Sequence, residues 1–71
     1  ITVDQLWDEK YLKHVLGILR SDPDAWQRAF AAKLLGDHKV AGAASALREA
    51  AAKDKVKNVR ETAQYALSQM K

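Results

Sequence analysis

The side chains able to do acid–base or metal chemistry are few and scattered in this 71-residue chain. Its two histidines, His14 and His38, stand 24 positions apart with no HExxH or similar spacing, and there is no cysteine to supply a thiolate. Two carboxylate pairs occur, Asp8/Glu9 and Asp22/Asp24. Each falls where a helix is expected to begin, and anionic side chains are favoured there by the helix dipole. The three glycines, Gly17, Gly36 and Gly42, form no phosphate-cradling loop, and no serine sits in a nucleophile elbow. General acid–base work needs a titratable group with a shifted pKa in a pocket. Nothing in the pattern offers one, so the chain reads as a non-enzyme with no catalytic residue, metal ligand or cofactor.

What does recur is a charged spacing. Asp22 precedes Arg28 by six positions, and Asp54 precedes Arg60 by the same six. After Arg28 come Ala31 and Leu34-Leu35; after Arg60 come Ala63 and Ala66-Leu67. The two copies lie 32 positions apart, a period that belongs to solenoids. The structural use of these charges is plain: an Asp at a helix start accepts backbone N–H groups. The Arg six residues on can reach back to that Asp, or to its counterpart in the neighbouring copy, as a ladder of ion pairs.

Four helical segments position these groups. The first shows Tyr11, Leu12, Val15, Ile18 and Leu19 on one stripe and ends near Arg20. Upstream, Thr2 to Gln5 has the pattern of a capping box, with Ile1 and Leu6 at staple spacing, and a break is expected near Trp7–Asp8. Ser21-Asp-Pro-Asp24 then stops one helix and starts the next, with Pro23 suited to the first helical position and Ser21 or Asp22 to the cap. The second helix is expected to bury Trp26, Phe30, Ala31, Leu34 and Leu35, with Ala29 and Lys33 outside, and to end on a left-handed Gly36. The third, Val40 to Lys53, is alanine-dense. It carries Val40, Ala43, Ala44, Leu47, Ala50 and Ala51 on its core side and Ser45, Arg48, Glu49 and Ala52 opposite. The last, capped by Asp54 and running to about Gln69, buries Val56, Val59, Ala63, Ala66, Leu67 and Met70. Tyr65 faces away from that stripe and reads equally as an interface residue, a contact with a further repeat or a surface tyrosine.

The totals agree with one small domain. A core of this size is hard to stabilise by burial alone, so neighbouring repeats or self-association are expected. The chain opens at Ile1 and holds fewer repeats than usually stand alone, which fits a piece cut from a longer array. No apolar run approaches about 18 residues, so the chain reads as soluble and cytoplasmic, with no membrane role. The net charge of +3 is uneven: residues 39–71 carry seven Lys/Arg against three Asp/Glu. Lys53, Lys55, Lys57 and Arg60 crowd one inter-helix corner and could neutralise phosphates. Asp54 interrupts that patch, however, and no aromatic is interleaved for base stacking.

The segments LRSDPDAWQRAFAAKLLGD and KDKVKNVRETAQYALSQM resemble HEAT repeats, especially the short kind of phycobilisome-lyase-like proteins. The likeness covers roughly residues 11–70 and rests on Val59-Arg60, Ala63 and Ala66-Leu67 in the second copy. In the first it rests on Gln27-Arg28, Ala31 and Leu34-Leu35-Gly36. It departs from the pattern at Gln27, where the family prefers Val and where Trp26 or Phe30 could take over the packing. It departs again at Ser68, where Gly is usual. The resemblance implies an all-α solenoid fragment of about four antiparallel helices in B-A-B-A order, stacked right-handed. Repeat copies would cover about 22–53 and 54–71, with a half repeat over 1–21. In such stacks the B helices line the concave face. The implied function is a protein–protein interaction module or scaffold segment, with candidate partner-binding residues Lys10, Lys13, His14, Arg20, Ser45, Arg48 and Glu49. Nucleic-acid binding through the Lys53–Arg60 corner is the alternative. A role as an accessory piece of a chromophore-lyase-like factor is a weaker one.

Overall fold

The computed structural model describes residues 9–70, all-helical apart from short turns. The four helices are α1 (Glu9–Ser21), α2 (Ala25–Asp37), α3 (Ala44–Lys53) and α4 (Lys57–Gln69), with a 3₁₀ turn at Ala41–Ala43 leading into α3. The capping box, the staple and the break expected at Trp7–Asp8 lie outside the described residues. α1 folds back on α2, and α3 on α4, across short turns. The heaviest packing, though, is between α2 and α4, the two helices that carry the repeated motif, while α1 and α3 touch more lightly.

Contacts at both ends set the direction of that central pair. Near the helix starts, Arg28 meets Asp54. Near their ends, Gly36 lies so close to α4 that a Cβ built on it would stand 2.5 Å from Ala66 Cα. The helices α2 and α4 therefore run side by side in the same direction, as equivalent members of one layer. The backbone bonds repeat with the sequence: Asp22 N–H donates to Ile18 O at 3.1 Å, and Asp54 N–H to Ala50 O at 3.1 Å.

The core is made largely of alanine. Ala31, Ala32, Ala43, Ala46, Ala50, Ala63 and Ala66 are buried around Val15, Leu19, Leu35 and Leu47. Short side chains let the helix axes approach, and the few branched residues fill the remaining space.

Several expectations are corrected here. Trp26 and Phe30 are not core residues: they are 76% and 62% exposed, whereas Ala29 and Ala32 are buried. The buried face of α2 is rotated because the helix has to meet α4 as well as α1, and only small residues fit that second seam. Neither aromatic takes over the packing at Gln27. The second helix begins later than Pro23, and its cap is Asp24, whose carboxylate accepts the Trp26 N–H at 2.9 Å. Asp22 instead braces the turn, accepting the Asp24 N–H at 2.8 Å. Asp54 does the same for Val56 N–H at 2.9 Å, so it too precedes the helix it was expected to cap. Gly36 lies within α2, and the left-handed residue after the helix is Lys39, at φ 54°. Glycine is required at 36 by the closeness of Ala66.

Candidate functional site

The best-organised polar group in the molecule is the seam between the two copies. From α2, the Arg28 guanidinium donates from Nε to Asp54 Oδ2 at 3.0 Å and from Nη2 to Asp54 Oδ1 at 3.3 Å. Its remaining edge donates from Nη1 to the Asp22 carbonyl at 2.7 Å. Arg60 repeats only that last bond, from Nη1 to the Asp54 carbonyl at 2.7 Å. So the ion pair joins one copy to the next, and each Arg also tethers the turn that precedes its own helix. Asp22 and Arg60 form no carboxylate–guanidinium pair with each other or with other described residues.

Both partners of the pair are largely shielded, at 13% and 9% side-chain exposure. Burial raises the Asp54 pKa, but the hydrogen bonds from Arg28 and from Val56 N–H, with the charges of Arg28 and Arg60, outweigh it. Its carboxyl is held below the ordinary value. Geometry of this kind is structural, since both oxygens of the Asp54 carboxylate accept from Arg28 and one also accepts from the Val56 N–H.

The partner-binding candidates sit elsewhere. Lys10, Lys13, His14 and Arg20 are exposed on α1, and Ser45, Arg48 and Glu49 are exposed on α3. Arg20 and Glu49 line one cleft with Lys53 and Asp54, where α1 and α3 come together. His14 lies at the other edge of α1, in a cleft with Ile18, Gln27, Phe30 and Leu34. Among the described residues no three His, Cys, Asp or Glu side chains are grouped to hold a metal ion. Nor is any described helix long and apolar enough to cross a membrane.

In the basic corner, Lys53 and Lys55 line an open cleft with Arg20, Asp22, Pro23 and Val56. Lys57 lies 3.7 Å from Glu61, and Arg60 is tied to the Asp54 carbonyl. Two of the four cations are thus partly committed to the fold, and Asp54 lies among them. Sequence reasoning missed the role of Gly36 as a contact point. The signal was present in Ala29 and Ala32, seven and four positions earlier on the same helix face, since a glycine in line with small residues marks a close approach as well as a stop.

The family model for HEAT repeats matches residues 12–71. Among curated proteins and among solved structures, no match was found. With two parallel motif-bearing helices stacked through an inter-repeat Arg–Asp pair and the match spanning most of the sequence, the chain belongs to the HEAT-repeat family.

Proposed function

We propose that the chain is a protein–protein interaction module or scaffold segment whose working surface is the exposed side of α1 and α3. One observation carries the reading: a row of exposed, mostly cationic side chains lies on two helices held by a small-residue core. The rigid seam of α2 and α4 fixes the spacing of that row, so little ordering cost falls on binding. Lys10, Lys13, Arg20 and Arg48 outweigh Glu49 in charge, which suits an acidic segment of a partner. HEAT repeats generally serve interaction and scaffolding, and this supports the coarse function.

The test is capture of a partner protein by the wild-type chain, compared with Arg48→Glu and Lys13→Glu. Loss of capture in both variants, with helicity unchanged and with Lys57→Glu still active, is the expected result. Equal capture by all three variants would remove the assignment. Titration with short duplex and single-stranded DNA serves as the parallel arm. Tight binding that falls steeply with salt and is lost on replacing Lys53 and Lys55 would favour the nucleic-acid reading instead.

A further inference from the structure

The two outer faces of the stack are not equivalent. The side of α2 that receives α4 presents Ala29, Ala32 and Gly36 beside Arg28, all buried or half-buried. The same positions on α4 are Glu61, Gln64 and Ser68 beside Arg60. All three replacements are exposed and polar, and Ser68 puts a Cβ where Gly36 tolerates none without a clash against its neighbour. In the other layer Leu16 packs against the core, while Arg48, 32 positions later, is exposed. The far end of the stack is therefore polar and sterically closed to a helix at the α2–α4 spacing, as at the capping end of a solenoid.

The near end has the opposite character. Ile18, Gln27, Phe30 and Leu34 line a cleft of about 170 Å³ between α1 and α2. Thirty-two positions on from three of these stand Ala50, Val59 and Ala66, all buried against the preceding helices. In the turn that joins α1 to α2, Asp22 holds its turn as Asp54 does, but among the described residues its carboxylate receives only the Asp24 N–H. Asp54 shows what completes such a carboxylate: an arginine from the preceding helix, bound through two donors.

We propose that the α1–α2 face is an acceptor for one further HEAT-type helix. That helix would carry an arginine to pair with Asp22, alanines one and four positions after it, and a glycine eight positions after it. The α4 face refuses such a helix, so a second wild-type copy does not qualify as the occupant. This concerns the ends of the stack and is independent of the partner surface on the exposed side of α1 and α3.

A variant of this chain supplies the probe. In Glu61→Ala/Gln64→Ala/Ser68→Gly, the outer face of α4 takes the residues that α2 presents to α4. Sedimentation at rising concentration should show the wild type as a monomer and the triple variant forming head-to-tail, open-ended oligomers. Adding Asp22→Asn to the triple variant should weaken that association about tenfold. Circular dichroism on each variant checks that the helices persist. A triple variant that stays monomeric would overturn the proposal. So would association indifferent to Asp22→Asn, or wild-type oligomers that Asp22→Asn dissolves.

Discussion

Asp54 carries more of the fold than any other polar residue, because it takes a bidentate guanidinium from one copy and braces the turn of its own. Replacing it with Ala strands the shielded Arg28 charge as well as removing the pair. Chemical denaturation should show a loss of about 2–3 kcal/mol, within the range for hydrogen bonds to charged groups. Asp22→Ala should cost less, since that carboxylate accepts one backbone bond. The pH dependence follows from the lowered pKa of Asp54. A group whose folded pKa is depressed stabilises the fold above its unfolded pKa, and that contribution fades as pH falls through the folded value. Thermal unfolding from neutral pH down through the carboxylate range should therefore show a steeper acid loss in the wild type than in Asp54→Asn. Parallel curves would mean the pair adds nothing.

Seams between helices explain what each residue type is for. The α2–α4 seam leaves no room for a methyl group at position 36, so Gly36→Ala should destabilise by about 1–3 kcal/mol through overpacking. It should do so despite a helix-propensity gain of about 1 kcal/mol for alanine over glycine. A neutral or stabilising result would show the seam to be looser than the geometry requires. Outward-facing Trp26 should tolerate Ala within about 0.5 kcal/mol, whereas Leu35→Ala should cost about 2–5 kcal/mol. Helix positions were legible in the sequence because the turn residues and the period of 32 gave them independently. The buried face of α2 was not. A periodicity argument favours the largest apolar side chains, while a helix wedged between two others buries its smallest. The same logic accounts for Gln27: its counterpart Val59 is buried in the repeat seam, while Gln27 is exposed at the end of the stack.

As a whole, the molecule is two layers, α2 with α4 and α1 with α3, held by a thin alanine core. The order of the layers could be read from the repeat alone. The polar far end of the stack could not, because nothing in a single copy says which of its faces meets a neighbour. The account stands on the two motif-bearing segments being equivalent units packed side by side, and the Arg28–Asp54 contact is the bond that exists only if they are. A double-mutant cycle on Arg28→Ala and Asp54→Ala, read by denaturant unfolding, tests this directly. Coupling of about 1–3 kcal/mol is expected for charged groups joined by two hydrogen bonds. Additivity within about 0.5 kcal/mol, the behaviour of distant and independent sites, would contradict it.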